Sequence, residues 1–343
     1  MFCKTPNWMA VNVSVIIPCF NEEKYIGQCI DSFFKEPDGL NLEILIIDGM
    51  STDSTRAEIA KKQATHPGKI RIIDNHKKKT PFALNLGIAH AKGDYTLIAS
   101  AHSSFDSDYI SLITQLFDEE KYEADIIGGM METKVLTETP KSLSIMHVLS
   151  NKFGVGNSMF RVGVKIPTYV DTVPFGIYKT NLLKSINGYD TRLIRNHDIE
   201  MSKRILAMGY KILLLPTPRC YYYARETFSK LFQNNYRNGN WNIKTVYITK
   251  RFSSLSLRHF IPLIFLLSIL LPLLAALILP QLSILALISF GLYGAVILSQ
   301  SIKIFKDNSR TSIGYSLLAF MVLHISYGLG SLSGLFSLKY LRA

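Results

Sequence analysis

The stretch IASAHSSFDSDYI, residues 98–110, places several polar side chains directly after an apolar run. His102 lies between Ser100 and two carboxylates, Asp106 and Asp108. An imidazole with carboxylates close by is a set of ligands that a divalent metal ion can use. The same residues are also typical of a turn and a helix start. These residues alone are therefore compatible with both a metal site and a turn.

Candidate ligand-binding residues also follow three earlier apolar runs. In chain order they are Pro18, Asn21 and Glu22; Asp48, Ser51 and Asp53; and Asp74 with Lys77–Lys79. In a parallel α/β sheet the carboxyl ends of the strands meet at one edge, where ligands bind. These residues would then line a cleft with acidic and basic walls. No Walker A motif occurs and no G-x-G-x-x-G follows the first run, so a nucleotide would be held by side chains and a metal.

The elements that position these residues alternate between two patterns. Apolar runs predict strands at residues 13–20, 42–48, 69–74 and 94–100. Helical patterns follow at 21–34, with Asn21 as N-cap, at 51–64, at 80–91, with Thr80 as N-cap and Pro81 as first helical residue, and at 107–120. This alternation predicts an α/β fold with a mostly parallel, Rossmann-like sheet and helices on both faces.

Four ordered motifs resemble those of glycosyltransferase family 2, and especially its membrane-bound members that build bacterial exopolysaccharide of the succinoglycan type. They are VSVIIPCFNEEKYIGQCIDSF, EILIIDGMSTDST, TPFALNLGIAHAKGDY and NGYDTRLIRNHDIEMSKRI, and the resemblance covers residues 11–245. It implies a GT-A fold, in which a Rossmann-like nucleotide half is fused to an acceptor half. It also implies inverting transfer from a nucleotide sugar, most often a UDP-sugar.

The resemblance implies a set of donor-binding residues. They are Pro18, Asn21, Glu22, Asp48, Asp53, Lys79, Asn85, Ser100 and His102. Asp48 corresponds to the acid that hydrogen-bonds uracil in the family. Two alternatives stay open: Asp48 as a strand-end carboxylate that caps the next helix, and Asp53 as an acid favoured by the helix dipole. The lysine run that ends at Lys79 is also typical of a solvated surface.

Family members hold Mg or Mn against the donor diphosphate with Asp-x-Asp, or Asp-Ala-His in the succinoglycan subgroup. This chain has Ser100-Ala101-His102, so the histidine matches and the leading carboxylate is absent. A serine hydroxyl is a poor substitute, because hard divalent ions prefer carboxylate oxygens. Three interpretations stay open: a metal binds through His102, the diphosphate and water; basic residues replace the metal; or the enzyme is weakened or inactive. Asp106 and Asp108 are better explained as helix-capping residues.

The resemblance places the catalytic base in RNHDIE, residues 195–200. Inverting transfer needs a base that takes the proton of the acceptor hydroxyl. The family supplies it from an acidic pair, typically Glu-Asp, at a helix start. Here the pair is His197-Asp198, with Glu200 two residues later, so Asp198 takes the base position. The alternatives are Asp198 as a helix cap and His197 as either a proton-sharing or a solvated side chain.

The segment FQNNYRNGNWN, residues 232–242, resembles the Gln-x-x-Arg-Trp motif of processive synthases at a stretched spacing. Gln233, Arg237 and Trp241 are the matching residues, and they are expected at the leaving group or the acceptor, where Arg237 would stabilise the diphosphate. The stretch is also typical of an amphipathic helix in the membrane interface. Both interpretations are compatible, because such a helix would bring a lipid-borne acceptor to the cleft.

Three apolar stretches, residues 260–280, 282–301 and 312–336, contain no Asp, Glu, Lys or Arg. About 20 apolar residues are enough to cross a bilayer. The third stretch has a Gly/Ser-rich second half, which indicates a broken or re-entrant segment. The predicted organisation is therefore a cytoplasmic catalytic domain at 1–227, an amphipathic interface segment at 228–256 and a transmembrane region at 257–343.

Charge and leader patterns predict the orientation. The apolar run VSVII, residues 13–17, is too short for a signal peptide. Basic loops flank the apolar stretches, which favours a multi-pass protein of the inner (plasma) membrane with its catalytic domain in the cytoplasm. The net charge of +12 is better explained by membrane lipids than by nucleic acid, because the basic residues gather beside those stretches.

These observations favour a membrane-bound inverting glycosyltransferase that moves a sugar from a UDP-sugar to a lipid-linked saccharide in polysaccharide biosynthesis. The alternative is a non-catalytic scaffold that binds a nucleotide sugar, motivated by the missing carboxylate at Ser100. A transporter is disfavoured, because the apolar stretches carry no carboxylate for ion coupling. A nucleotidyltransferase is disfavoured, because no glycine- and lysine-rich loop follows the first strand.

Overall fold

A computed structural model describes residues 11–37, 39–156 and 158–341 of the chain. These residues form two compact units. The first unit takes in the described residues of Met1–Glu132 and Gly163–Tyr222, and the second those of Thr133–Val162 and Tyr223–Ala343. A segment inside the predicted catalytic domain, residues 133–162, thus belongs to the same unit as the C-terminal helices. The functional division of the chain at residues 227 and 256 stays a prediction.

The strands of the described residues belong to one mixed sheet. They are β1 (Val11–Cys19), β2 (Leu40–Asp48), β3 (Ile70–Asp74), β4 (Tyr95–Ile98), β5 (Ser103–Phe105), β6 (Ile126–Lys134), β7 (Thr168–Tyr169), β8 (Ile177–Lys179) and β9 (Ile212–Tyr223). Their order is β3-β2-β1-β4-β8-β6-β9-β5, with β7 paired to β9. Strands β3, β2, β1 and β4 pair in parallel, whereas β8 pairs antiparallel with both β4 and β6. The predicted α/β fold class is confirmed, but the sheet is mixed and not mostly parallel, because β5 and β7 also pair antiparallel with β9.

The helices of the described residues are, in chain order, α1 (Ile26–Phe33), α2 (Thr55–Thr65), α3 (Thr80–His90), α4 (Tyr109–Asp118), α5 (Pro140–Leu149), α6 (Lys152–Val155), α7 (Met159–Val162), α8 (Thr180–Ser185), α9 (His197–Ala207), α10 (Phe228–Thr249), α11 (Ile261–Ala275), α12 (Ser283–Asp307) and α13 (Ile313–Leu335). The first four follow the four predicted helical patterns. Two predicted caps are wrong: the N-cap of α1 is Tyr25, not Asn21, and the N-cap of α3 is Lys79, not Thr80.

The capping role predicted for Asp106 and Asp108 is confirmed only in the position of Asp108, and neither carboxylate caps α4. Asp108 occupies the N-cap position of α4 but makes no side-chain cap hydrogen bond. The carboxylate of Glu36 accepts the N–H groups of Ile110 and Ser111 instead, at 2.6 and 3.1 Å. Asp106 accepts from the backbone N–H of Arg219 and the hydroxyl of Tyr221 on β9. A local pattern cannot reveal these partners, because they lie far away in sequence.

The parallel part of the sheet is an apolar core. The side chains of β1 from Val15 to Ile17 and of β2 from Ile44 to Ile47 are fully buried. Strands covered on both faces have such continuous apolar runs, unlike strands with one wet face. Helix α3 lies so close to β1 that a Cβ atom at Gly87 would clash with the side chain of Ile16. This rigid core holds the strand ends where the candidate residues begin.

In the second unit, α10 runs beside α13 in the same direction. Phe228 packs near Tyr315, with ring centroids 6.2 Å apart, and Asn240 Nδ2 donates to Ser333 Oγ at 3.3 Å. Further along, the Tyr247 hydroxyl donates to the carbonyl of Leu335 at 3.0 Å. Glycines allow the two backbones to approach this closely, as small residues do at helix pairs in membranes.

The apolar helices differ in part from the predicted segments. Helix α11 has 15 residues, fewer than the predicted 260–280, and contains Pro272. Helix α13 continues unbroken through its Gly/Ser-rich half, so the expected break is absent from this described segment. Residues Pro280–Asp307 and Ile313–Leu335 are each long and apolar enough to cross a membrane. The structure thus contains two candidate spans within the described residues.

Where α10 and α13 are in close contact, adding a single methyl group to a glycine should lower the stability of the protein. A Cβ at Gly330 would clash with the backbone carbonyl of Tyr236, so Gly330→Ala should destabilise the protein by about 1–3 kcal/mol. The matched control is Gly294→Ala on α12, where a Cβ meets nothing within 4 Å. That variant should be neutral or stabilising by up to about 1 kcal/mol. Thermal unfolding of the purified full chain in detergent measures both, and equal midpoints would contradict the packing.

Candidate functional site

The loops after β1 and β2 are joined through Asn21. Its side-chain oxygen accepts the N–H of Thr52 at 2.8 Å, and its own N–H donates to the hydroxyl of Ser51 at 2.9 Å. Asn21 has a φ of 57°, a conformation that asparagine tolerates better than most residues. The N–H of Glu22 donates to the hydroxyl of Thr55 at 2.7 Å. The residues predicted to follow two different strands therefore form one connected cluster.

Asp48 ends β2 as a fully buried carboxylate. It accepts the N–H and the hydroxyl of Ser51, the latter at 2.5 Å, and Nε of Arg56 at 2.6 Å. Arg56 also pairs with Asp74 at the end of β3. A charge taken out of water is tolerated when it is paired and hydrogen-bonded in this way. The carboxylate therefore holds the loop and Arg56, rather than capping α2, whose N-cap is Ser54.

Asp53 is bound to the start of α2. Its Oδ1 accepts the N–H of Thr55 at 3.0 Å and the hydroxyl of Thr55 at 2.5 Å. Glu23 accepts the N–H of Ser54 at 3.0 Å from the neighbouring loop. These contacts agree with the interpretation of Asp53 as a helix-start acid. Its predicted contact with a donor stays a prediction.

The stretch that carries His102 forms a turn and also faces a carboxylate. The N–H of Ser103 donates to the carbonyl of Ser100 at 2.9 Å, which closes the turn. Nε2 of His102 lies 2.8 Å from Oε1 of Glu22. The His102 ring packs edge-on against Tyr25, with centroids 4.4 Å apart. The loop after β4 therefore meets the loop after β1, as the sheet-edge argument requires.

Glu22 and His102 offer two ligands to a metal ion, and no more. Among the described residues, no group of three or more His, Cys, Asp or Glu could hold a metal. An oxygen and a nitrogen 2.8 Å apart can both bind one ion, yet Mg and Mn need further oxygen ligands. A donor diphosphate and water would have to supply them. These residues fit a divalent ion only as part of a complex with the donor.

Three other residues predicted to bind the donor occupy different environments. Pro18 is half-buried near the end of β1, and Lys79 is exposed at the N-cap of α3. Asn85 on α3 uses both ends of its amide on the backbone of Tyr189, at 2.8 and 2.7 Å. A Cβ at the preceding Gly188, whose φ is 59°, would clash with that amide. Asn85 thus connects α3 to the loop before α9, and its donor contact stays a prediction.

Of the two acids in the first turn of α9, Asp198 alone is unengaged. Its carboxylate is exposed and makes no hydrogen bond or ion pair with any described residue, and the N-cap is Asn196. Glu200 is held by Arg204, whose Nε lies 3.0 Å from Oε1. Arg204 also donates to the carbonyls of Ile186 and Gly188, so this pair is part of the framework. Within this turn only Asp198 is therefore free to take a proton.

His197, next to Asp198, is not a solvated surface histidine. Its Nδ1 is buried and has no hydrogen-bond partner among the described residues. The ring packs edge-on against Tyr189, with centroids 5.6 Å apart. Burial lowers the pKa of His197 below its usual range, even though the charge of Asp198 opposes the shift. The imidazole beside the candidate base is therefore neutral at pH 7.

The three residues predicted at the leaving group or the acceptor lie on α10 of the second unit. Gln233 and Arg237 are exposed one turn apart. Trp241 is half-buried and packs edge-on against Tyr340, with centroids 6.0 Å apart. Their predicted roles stay predictions.

The sequence patterns did not predict two residues that support the candidate site. Arg56 supplies the cation that Asp48 requires, and Tyr25 supports the His102 ring. The signal for Arg56 was its place in the first turn of the helix after Asp48, from which a long side chain can reach back to the strand end. No comparable signal existed for Tyr25.

The Asp48–Arg56 pair predicts a loss of stability on truncation. Arg56→Ala leaves a buried carboxylate without its cation, which costs about 3–5 kcal/mol in fully buried pairs. Since Arg56 is 40% exposed, we expect about 1–3 kcal/mol. Chemical denaturation measures the loss. Arg71→Ala, which removes an arginine of similar exposure that lies 3.7 Å from Glu43, is the control and should cost under about 1 kcal/mol. Equal losses would contradict the assigned role of Arg56.

Comparisons with known proteins identify the family of the chain. The family model described as glycosyl transferase family 2 matches residues 14–184. The chain is 31% identical over 230 residues to a dolichyl N-acetyl-alpha-D-glucosaminyl phosphate 3-beta-D-2,3-diacetamido-2,3-dideoxy-beta-D-glucuronosyltransferase of Methanococcus voltae, over 66% of this chain and 71% of that protein. It is 26% identical over 318 residues to the succinoglycan biosynthesis protein ExoA of Rhizobium meliloti (strain 1021), over 92% of each.

Among solved structures, the chain resembles a mannosyltransferase of Pyrobaculum calidifontis in complex with GDP-Man and Mn2+. The TM-score is 0.57 at 15% identity, over 95% of this chain and 87% of that one. At this identity the likeness concerns the fold, which is the GT-A fold expected from the sequence. Together with the two sequence relatives and the matched motifs, it leads to one conclusion: the chain belongs to glycosyltransferase family 2 and is a glycosyltransferase of polysaccharide biosynthesis that uses a nucleotide sugar.

Proposed function

We propose that the chain is a membrane-bound inverting glycosyltransferase that moves a sugar from a UDP-sugar to a lipid-linked saccharide. The observation that carries the proposal is the contact of His102 with Glu22 at 2.8 Å, because it unites the loops after β4 and β1 at one sheet edge. Asp48 and Asn21 belong to the same edge through Ser51. A nucleotide site needs such convergent polar groups where no glycine loop is present.

In this proposal, Asp48 recognises the uracil base of the donor. A carboxylate accepts the N3–H of uracil, which distinguishes uracil from bases that lack a donor at that position. Because Asp48 is fully buried and already accepts from Ser51 and Arg56, the uracil must share or displace the Ser51 bonds. Arg56 stays in place and keeps the carboxylate oriented. Pro18 and Asn21 flank the base and the ribose.

His102 and Glu22 would hold Mg or Mn together with oxygens of the donor diphosphate. A bound divalent ion would neutralise charge on the leaving diphosphate. Ser100 adds at most a neutral hydroxyl where relatives in the succinoglycan subgroup have a carboxylate. The chain's own contribution is to hold the imidazole against Tyr25 and Glu22, so that its Nε2 points to one place.

Asp198 is the general base. It takes the proton of the acceptor hydroxyl while that oxygen attacks the anomeric carbon and the nucleoside diphosphate leaves from the opposite face. Glu200 cannot do so without breaking its pair with Arg204. The buried, neutral His197 forms no ion pair with the carboxylate of Asp198. This free carboxylate also argues against a non-catalytic scaffold.

The acceptor is a lipid-linked saccharide at the cytoplasmic face of the plasma membrane. The name of the Methanococcus voltae relative states a dolichyl-linked phosphate acceptor, and that of ExoA states succinoglycan biosynthesis. Residues Pro280–Asp307 and Ile313–Leu335 anchor the chain as a multi-pass protein. Gln233 and Arg237 are exposed on α10, which runs beside α13. At membrane depth such groups need water or a polar ligand, and the acceptor head group fits that need.

The role of Asp198 predicts a selective loss of chemistry. Asp198→Asn should lower the transfer rate by about 10²–10⁴-fold and leave nucleotide affinity within about twofold, because the base acts only on the acceptor proton. Single-turnover transfer from a radiolabelled UDP-sugar to membrane lipid extract gives the rate, and calorimetry gives the affinity. Glu200→Gln is the matched control and should keep transfer within about tenfold. The opposite pattern would assign the base to Glu200.

The metal proposal predicts that Mn strengthens nucleotide binding. We expect Mn to tighten UDP binding to the detergent-purified protein by about tenfold, or about 1.4 kcal/mol. Ser100→Asp should enlarge the effect, because it adds a carboxylate ligand, whereas His102→Ala should abolish it. Calorimetric titration of UDP with and without Mn measures all three. If Mn acts only in Ser100→Asp, basic residues replace the metal in the parent. No UDP binding in any of them would remove the UDP-sugar assignment.

A further inference from the structure

A cluster of two lysines and two aromatic rings lies at the far end of α10. Nζ of Lys244 is 5.2 Å from the centroid of the Trp241 ring and 5.1 Å from that of Tyr340. Nζ of Lys339 lies 5.3 Å from the same Tyr340 ring. Lys339 and Tyr340 belong to a short 3-10 helix, Leu338–Leu341, that follows α13. Segments almost a hundred residues apart in sequence thus build one cationic, aromatic surface, the lysine–aromatic cluster of Trp241, Lys244, Lys339 and Tyr340.

The two lysines share no anion within the described residues. Neither ammonium makes a hydrogen bond or an ion pair there, and cation–π contacts are their described interactions. Burial lowers the pKa of Lys244, and the charge of Lys339 lowers it further. Two like charges held around one ring repel each other, and an anion placed between them removes that cost. The cluster is therefore complementary to a compact, multiply charged anion.

The cluster lies where an apolar helix ends. Contacts of Asn240 and Tyr247 with Ser333 and Leu335 fix this part of α10 against the last turn of α13. Beside the cluster, the side chain of Phe336 is 79% exposed, and Leu338 and Leu341 are also exposed. Trp, Tyr and Lys around exposed apolar groups at the end of an apolar helix are typical of the membrane–water interface. The anion should therefore arrive on a molecule that also has an apolar part.

We propose that Trp241, Lys244, Lys339 and Tyr340 bind the phosphate group of a lipid at the membrane interface. The ammonium groups, the indole N–H and the phenol supply hydrogen-bond donors to phosphate oxygens, and the charge-assisted bonds are the strong ones. The exposed Phe336 and Leu338 contact the apolar chain. This inference rests on the proposed membrane attachment and adds to it a defined place for a lipid phosphate.

The test uses the fluorescence of Trp241 in the full chain. The sequence contains two tryptophans, so a Trp8→Phe background leaves Trp241 alone. The protein is titrated with phosphatidylcholine vesicles, with vesicles that also contain phosphatidic acid, and with soluble inorganic diphosphate. We expect a preference of at least about tenfold for phosphatidic acid over pure phosphatidylcholine, since each lysine near an anionic surface strengthens the attraction. Flotation of the vesicles measures binding independently of fluorescence.

Three variants separate a site from general electrostatics. K244Q/K339Q should lose most of the phosphatidic acid preference, and K244R/K339R should keep it because the charge is retained. K141Q/K152Q removes the same net charge from α5 and α6, outside the lysine–aromatic cluster, and should keep the preference. Equal losses in K141Q/K152Q and K244Q/K339Q would overturn the site, as would an unchanged preference in K244Q/K339Q.

The remaining outcomes are also decisive. If soluble diphosphate shifts Trp241 emission as strongly as the lipid does, the site takes a free phosphate and the lipid assignment is wrong. If the parent protein binds both kinds of vesicle equally, this inference fails while the proposed membrane attachment stands. If the parent binds no vesicle at all, both the inference and the membrane part of the proposed function fail. Transfer activity, which tests the proposed chemistry, is measured separately.

Discussion

The buried carboxylate of Asp48 is the constraint on which the candidate site depends. Because this charge has no exposed surface, it must be balanced by nearby groups. Ser51 donates a hydrogen bond to Asp48, and Arg56 pairs both with Asp48 at the end of β2 and with Asp74 at the end of β3. Ser51 in turn receives the N–H of Asn21, which sets the start of the loop after β1. That loop presents Glu22 to His102. The need to balance the buried charge of Asp48 therefore constrains the positions of the loops after β1, β2 and β4.

The same logic separates acids that are bonded to the framework from Asp198, the proposed catalytic base. Glu200 and Asp53 are each bonded to a neighbour that holds a helix in place. Asp198 is exposed and makes no such bond with the described residues. A catalytic base has to exchange its proton with a substrate, so it cannot be committed to the framework. The contrast between Asp198 and Glu200, two residues apart on one helix, is the clearest functional signal in this part of the structure.

Much of the fold followed from sequence patterns, because buried parallel strands and amphipathic helices have distinct periodicities. The first four strands and helices were predicted in type and order, and the strand-end argument correctly brought His102 to Glu22. The errors have a common physical origin. Asp106 bonds β9 and the missed Arg56 bonds the ends of two strands, both through contacts that a local pattern does not encode. The Gly/Ser-rich half of α13 indicated a break, yet its glycines serve a close approach of α10.

The edge formed by Asp48, Glu22 and His102 is the proposed binding site for the nucleotide of the donor. A structure of the full chain determined with UDP and Mn, with data at the Mn absorption edge, tests it most directly. We expect uracil density against Asp48 and an anomalous peak within coordination distance of Nε2 of His102. Uracil bound away from Asp48, or a Mn peak away from His102 with the diphosphate on basic side chains, would contradict it.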